Sequence, residues 1–255
     1  MQHVVVTGAS SGIGESIARE WLKRGARVTL VARRRTLLDE IAKASPEHTK
    51  VVAADLGDPA CAEALVAECG EIDVLVNNAG VQIVEAAHVT PWERAEALLR
   101  LDLHTPLRLI QAVLPSMLAR RSGSIVNVAS MAAIGPTPGM MFYNAAKGGL
   151  AAASEGLRAE LRPEGINVVT VYPGPVRSAM EVAGRAAYED SAAVRNTPTG
   201  DPDVLARMII RAVERRSARV IYPRVYGLAR HFPNTTRWFL DAFTPRVRSD
   251  RTLTA

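Results

Sequence analysis

The chain has 255 residues, 48% of them apolar, with a net charge of +5 and a mean hydropathy of +0.05. That length holds one large α/β domain or two small ones, and no apolar run approaches the ~18 residues of a membrane span. The two cysteines, Cys61 and Cys69, are too few for a disulfide framework and match no metal motif. A reducing cytosol is expected, and no metal.

Read from the N-terminus, VVVTG (residues 4–8) is a buried strand. Residues 14–24 form a helix whose Ile17, Ala18, Trp21 and Leu22 share a face, and Gly25 stops it. The strand starts at about His3, so no signal peptide is expected and a cytoplasmic location is. Apolar runs at 27–32, 50–54, 74–77, 124–129 and 167–172 predict further strands, with helices near 34–44, 59–69, 91–119 and 142–162. Near-continuous apolar strands separated by helices point to a parallel sheet covered on both faces. There is no repeat, low-complexity stretch or linker. The expectation is a single α/β domain over 1–255, a doubly wound, three-layered parallel sheet of Rossmann type.

The turn after the first strand carries Gly8, Ser10, Ser11, Gly12, Ile13 and Gly14. Glycines permit a tight turn and close approach of backbone to a pyrophosphate. The following helix points free N–H groups and its positive dipole end at the same place. Ser10 and Ser11 can add hydroxyl donors. A glycine cluster alone can be a plain turn, but this one follows a strand and opens a helix, the βαβ context of a dinucleotide site.

The end of the second strand bears on the cofactor. A carboxylate there would bond the ribose 2′-hydroxyl and repel a 2′-phosphate. This chain reads Ala32-Arg33-Arg34-Arg35. Arginine grips phosphate in a fork, so NADP(H) is preferred over NAD(H), with Arg33 the first choice as clamp.

TGASSGIG, NNAG at 77–80, Ser130, YNAAK with Tyr143 and Lys147, and PGPVRS at 173–178 occur in the order of the short-chain dehydrogenase/reductase family. The chain resembles that family from about residue 2 to 180. The resemblance implies that Asn78, Ala79 and Gly80 lie beside the adenine-side ribose and that Asp55 and Leu56 flank the adenine. It implies that Pro173, Gly174 and Val176 hold the nicotinamide carboxamide. Ser178 stands where the family usually has threonine. The implied activity is hydride exchange between a nicotinamide and a small-molecule carbonyl or alcohol, with Ser130, Tyr143 and Lys147 catalytic.

The chemistry of those three fits. A carbonyl that accepts hydride needs a proton, and a free phenol has a pKa of about 10. Lys147, at i+4 from Tyr143, shares its helix face. At about 4 Å its charge supplies roughly 4 kcal/mol, which would place the phenol roughly three pK units lower, nearer the working pH. Ser130 can hold the substrate oxygen. The alternative is a nucleotide-binding regulatory protein of weak or no activity on the same fold.

One position departs from the family pattern. Asp102, in Leu101-Asp102-Leu103, stands where the family usually has an asparagine that helps hold a water behind the lysine. Its charge is expected either to leave the proton relay workable or to pair with Lys147.

The segment at about 179–202 is small and polar and reads as a mobile lid over the substrate. Met140, Met141 and Phe142 are candidates for an apolar wall or for core. The substrate itself is read only as a carbonyl on an apolar or acyl-type molecule. Residues 204–255 hold 11 arginines against Glu214, Asp241 and Asp250, a net +8 that leaves −3 for the rest. No nucleic-acid motif accompanies this charge, so no nucleic-acid partner is expected. In the basic extension at about 223–255, Trp238, Phe239, Ala242 and Phe243 fall on one helical face, with Arg237, Arg246 and Arg248 nearby. Three readings compete: packing on the protein's own core or a second subunit, peripheral contact with a membrane, or a cover over an active site. A homodimer or homotetramer is expected.

Overall fold

The computed structural model describes residues 1–245 and 247. Arg246 and Arg248 lie outside the described residues. The elements run β1 (His3–Thr7), α1 (Gly12–Lys23), β2 (Arg27–Ala32), α2 (Arg35–Ala42), β3 (Thr49–Ala53), α3 (Cys61–Cys69), β4 (Val74–Asn77) and α4 (Trp92–Leu99). A π-helical turn (Arg100–His104) joins α4 to α5 (Thr105–Ala119). Then come β5 (Gly123–Val128), α6 (Met141–Leu161), β6 (Ile166–Pro173), α7 (Ala179–Ala186), α8 (Ala192–Arg195), α9 (Pro202–Glu214), β7 (Arg219–Tyr222), α10 (Gly227–His231) and α11 (Pro233–Phe243).

All seven strands are parallel, in the order β3-β2-β1-β4-β5-β6-β7. The period of two divides the strand side chains between two cores. Val4 and Val6 face one layer, where Ile17, Ala18 and Trp21 of α1 meet Ile209 and Ile210 of α9. Val5 faces the other, with Leu65 of α3 and Leu109, Val113 and Met117 of α5. Covering both faces makes the strands apolar throughout, and every residue of β1 and β6 is buried.

Strand β7 and helices α7 to α10 escape the sequence reading. Strand β7 is only four residues long and lies at the edge, and its Val220-Ile221-Tyr222 run is too short to announce it. Helix α9 does have a signal. Asp201 caps it by accepting the Asp203 and Val204 N–H groups, Pro202 opens it, and Leu205, Ile209 and Val213 repeat at helical spacing. The 179–202 segment, read as a mobile lid, carries helices of its own. It holds α7 and α8, and Arg185 ties its turns together through Glu181, the Val194 carbonyl and Thr199 Oγ1 (2.8 Å).

Candidate active site

Strand order reverses between β1 and β4, which opens a crevice at the carboxyl ends of the strands. The glycine turn enters it from β1. Gly8 has φ of +67°, and a Cβ there would lie 2.7 Å from the Ala79 Cα. A Cβ on Gly14 would lie 2.3 Å from the Gly8 carbonyl oxygen. Only glycine fits either place, so the turn closes tightly onto NNAG. Ser11 occupies the N-cap of α1 but makes no side-chain cap bond, leaving the first N–H groups directed into the crevice.

The arginine read as clamp and the one that reaches the turn differ. Arg34 Nη2 donates to Ser10 Oγ (2.9 Å) and Ser11 Oγ (2.8 Å). Arg33 is exposed and lines a cavity of about 640 Å³ with Asp55, Gly57 and Val81. Arg34 is the one that flanks the turn.

A residue outside the sequence reading holds the next strand end in place. Thr7 Oγ1 donates to the Val76 carbonyl (3.1 Å) and accepts from the N–H groups of Asn78 (2.9 Å) and Ala79 (3.1 Å). Asn78 Nδ2 donates back to the Thr7 carbonyl (3.0 Å). One buried hydroxyl thus locks NNAG to β1, and its signal is the threonine just before Gly8. Thr105 Oγ1 does the same for the Asp55–Leu56 corner through the Leu56 carbonyl (2.7 Å). In the 173–178 loop, the Gly174 N–H donates to the Tyr222 carbonyl (2.7 Å) and Val176 pairs with Gly200. The Ser178 hydroxyl caps α7, accepting the Glu181 N–H (3.1 Å) and donating to the Val176 carbonyl (3.1 Å).

Ser130 ends β5 in extended backbone, and its Oγ accepts the Ala132 N–H (3.1 Å). Tyr143 and Lys147 occupy successive turns at the start of α6, and both are buried. Lys147 Nζ donates to the Val128 carbonyl (3.2 Å) and stands 5.8 Å from the Tyr143 ring centre. Asp102 sits in the π-helical turn, fully buried. Its Oδ1 accepts the Val81 N–H (2.8 Å), and its Oδ2 lies 3.1 Å from Lys147 Nζ. Of the two expectations for Asp102, the structure has the ion pair with Lys147.

That pair corrects the expected phenol. Burial pushes Tyr143 up, Lys147 pulls it down, Asp102 pushes it up again and a hydrogen bond from Ser130 pulls it down. The net direction is above the ordinary value. A lysine whose charge is shared with a buried carboxylate does not lower the phenol by the roughly three pK units estimated from an unpaired ammonium. Burial lowers Lys147, but Asp102 and Tyr143 outweigh it and hold it above the usual lysine range. Asp102 is itself raised, by burial first and against the pull of Lys147 and the Val81 N–H.

The short chain dehydrogenase family model matches residues 2–189. The chain belongs to the short-chain dehydrogenase family. It is 35% identical over 182 residues to an uncharacterized oxidoreductase of Staphylococcus epidermidis, covering 69% of this chain and 78% of that one. A short-chain dehydrogenase from Sphingobium yanoikuyae, solved in complex with NADPH, superposes with a TM-score of 0.81 at 30% identity, over 99% of this chain and 100% of that one. The bulky-bulky ketone specific alcohol dehydrogenase from Comamonas testosteroni gives 0.79 at 27%, over 99% and 98%.

A nicotinamide dinucleotide, the cofactor of this dehydrogenase family, fits the residues present. Gly8 and Gly14 leave no room for side chains, the α1 N-terminus is uncapped, and Arg34 adds positive charge beside it. Helix α7 approaches the loop after β4, since a Cβ on its Gly184 would lie 2.4 Å from Gln82 Oε1. Met140 is core, packed with Ile83 and Tyr143, and Phe142 packs against them with its ring edge-on to Trp92. Met141 is exposed.

The C-terminal segment closes on the loop that joins Ser130 to Tyr143. Leu240 and Thr236 pack on Gly135, Arg237 Nη1 donates to the Pro136 carbonyl (3.0 Å), and Val247 sits against Gly139. The 179–202 segment reaches the same loop through the Tyr188 hydroxyl, which donates to the Pro138 carbonyl (2.8 Å), and Tyr188 pairs with Val247. The helix face read from the sequence is not the one that packs. Trp238, Phe239, Ala242 and Phe243 are all exposed.

Proposed function

We propose that this short-chain dehydrogenase is an NADP(H)-dependent oxidoreductase interconverting a carbonyl and a secondary alcohol, with Tyr143 as general acid and base. The observation that carries it is that Tyr143 meets the Ser130 hydroxyl and its ring centre stands 5.8 Å from Lys147 Nζ, with Lys147 against Gly80 of NNAG. A module that only bound nucleotide would have no use for that trio.

Gly8, Ser10, Ser11, Gly12, Ile13 and Gly14 would hold the pyrophosphate, with Asn78, Ala79 and Gly80 at the adenine-side ribose. Asp55 and Leu56 would flank the adenine, and Pro173, Gly174, Val176 and Ser178 would hold the carboxamide. Arg33 and Arg34 support a 2′-phosphate, having no carboxylate at Ala32 to oppose it. The bound nicotinamide supplies or removes the hydride. Tyr143 gives the phenolic proton to the carbonyl oxygen during reduction and takes it back during oxidation. Ser130 donates a hydrogen bond to that oxygen and fixes it beside the phenol. Lys147 carries positive charge behind the phenol, and Asp102 holds that charge in place.

The raised phenol and the Asp102–Lys147 pair favour the reductive direction, in which the protonated tyrosine is the active form. They also support a second reading, a nucleotide-binding protein of weak activity. One experiment tests both. NADPH absorbance is followed across ketones, aldehydes and acyl-linked keto compounds, with Tyr143→Phe as control. Turnover lost in that variant supports the first reading, whereas activity surviving in it overturns the mechanism. Tight NADPH binding without turnover on any carbonyl would establish the second.

A further inference from the structure

Two glycines beyond the carboxyl end of β6 have no room for a side chain because a tyrosine ring takes it. A Cβ on Gly174 would lie 2.7 Å from Cε2 and 2.9 Å from Cδ2 of Tyr226, and a Cβ on Gly200 would run into the ring of Tyr222. Neither glycine lies in the left-handed region, so the ring and not the backbone excludes a larger residue. Tyr222 ends β7, and Tyr226 ends the 3-10 turn Arg224–Tyr226 that follows it. Both rings therefore reach the 173–178 loop from the strand beside the one it leaves.

What they hold is a register. Gly200 pairs with Val176 in parallel: its N–H donates to the Pro175 carbonyl (2.8 Å) and its carbonyl accepts the Arg177 N–H (3.0 Å). In such a pair the central residue's own N–H points the other way, so the Val176 N–H faces away from Gly200. A slip of Gly200 towards Pro175 would tie that N–H to Gly200 itself. Against this, the Gly174 N–H donates to the Tyr222 carbonyl (2.7 Å) and the Asp201 N–H to the Tyr222 hydroxyl (2.9 Å). The Tyr226 hydroxyl donates to the Pro198 carbonyl (3.3 Å). One short stretch, 222–226, thus holds Gly174 on one side and residues 198–201 on the other. Tyr222 also packs against the main core, whereas Tyr226 is half-buried and belongs to none of the hydrophobic clusters.

We propose that Tyr226 is a positioning residue for the nicotinamide half of the cofactor. Its ring, seated on Gly174, sets where the 173–178 loop stands, and through that loop it aims the Val176 N–H at the carboxamide. This rests on the reading of Pro173, Gly174 and Val176 as the carboxamide loop, and makes the place of that loop depend on a side chain from beyond β7. The other half of the site is held independently. Thr7 locks NNAG to β1, and the glycine turn is set by its own close contacts. Tyr226 should therefore matter to the nicotinamide and not to the phosphates or the adenine.

Calorimetric titration separates the two halves without turnover. NADPH is compared with 2′-phospho-ADP-ribose, which lacks the nicotinamide, and NADH with ADP-ribose. Tyr226→Ala should weaken NADPH about tenfold, the worth of one or two neutral hydrogen bonds, and leave 2′-phospho-ADP-ribose unchanged. Tyr226→Phe keeps the ring and should bind both as the parent does. Gly174→Ala should weaken NADPH as Tyr226→Ala does, and the double variant no further, because both changes act at one contact. Equal losses with and without the nicotinamide, or no loss in Tyr226→Ala, overturn the proposal. So does a Tyr226→Phe variant as weak as Tyr226→Ala. A parent that favours NADH corrects the cofactor preference alone, and the same comparison is then read from NADH and ADP-ribose. A parent that binds no dinucleotide overturns the cofactor reading and this proposal with it.

Discussion

Asp102 Oδ2 lies 3.1 Å from Lys147 Nζ at a point where neither meets solvent. A Cβ on Gly80 would come within 2.8 Å of that oxygen and 3.2 Å of that nitrogen, so the glycine of NNAG is what lets the pair form. Three segments from distant parts of the chain meet here: the end of β4, the π-helical turn and α6. A buried ion pair is seldom a large net source of stability, but removing one partner costs about 3–5 kcal/mol because the other charge is left alone. The pair therefore fixes where the lysine's charge sits and how much of it the phenol feels.

Asp102→Asn tests this directly. The amide oxygen can still accept the Val81 N–H, while the charge facing Lys147 is gone and only the Val128 carbonyl stays on the ammonium. The variant should lose about 3 kcal/mol of stability, seen as a lower thermal midpoint. Its turnover with NADPH at neutral pH should equal or exceed that of the parent, because the phenol, no longer pushed up by Asp102, stays protonated there and is a stronger acid. A folded variant with a large loss of turnover would show that Asp102 works in some other way.

The same electrostatics set a pH dependence. Reduction needs the protonated phenol, and Tyr143 is held above the ordinary range, by burial before anything else. Reductive kcat/KM should therefore stay flat from neutral pH into the alkaline range. Oxidation needs the tyrosinate and should climb with pH over the same interval. Profiles measured in both directions check this, and a reductive rate already falling near neutrality would contradict it. In Asp102→Asn the oxidative limb should move to lower pH.

Strands β1 to β6 were legible because a sheet covered on both sides demands unbroken apolar runs, and the glycine turn because glycine alone tolerates its backbone. Ser130, Tyr143 and Lys147 were legible through spacing within one helix and one strand end. The Asp102–Lys147 pair was legible only as one of two alternatives, since it joins residues 45 apart through a π-helical turn that no local pattern marks. The phenol's direction failed because an i+4 estimate leaves out burial, the largest cause, as well as the carboxylate that the lysine faces. Arg34 is a similar case. Three consecutive arginines differ only in where the strand stops, and β2 ends at Ala32 so that Arg34 turns back to the two serines.

Cofactor choice separates the two arginines. A charged hydrogen bond is worth about 1.5–3 kcal/mol, so Arg33→Ala and Arg34→Ala should each raise KM for NADPH at least about tenfold. KM for NADH should be nearly unchanged in Arg33→Ala. In Arg34→Ala it should rise modestly, because Arg34 also orders Ser10 and Ser11 beside the pyrophosphate turn. Steady-state kinetics with both cofactors decide it, and equal losses with both in Arg33→Ala would remove that residue from the 2′-phosphate.

The last prediction concerns the loop between Ser130 and Tyr143. It is gripped from two sides, by α11 through Gly135 and Pro136 and by Tyr188 of the 179–202 segment through Pro138. On the proposed mechanism the substrate lies beside Ser130 and Tyr143, which this loop joins. Loosening it should then alter substrate binding before cofactor binding. Leu240→Ala trims the side chain on Gly135 at a cost of about 1 kcal/mol, since the site is only half-buried. KM for the carbonyl substrate should rise severalfold, with KM for NADPH and the pH profile unchanged. Deleting residues 233–255 should do the same more strongly, with oligomer size followed in parallel by sedimentation. If both KM values rose together, α11 would be supporting the whole domain, and if neither moved, the loop would hold its shape without it.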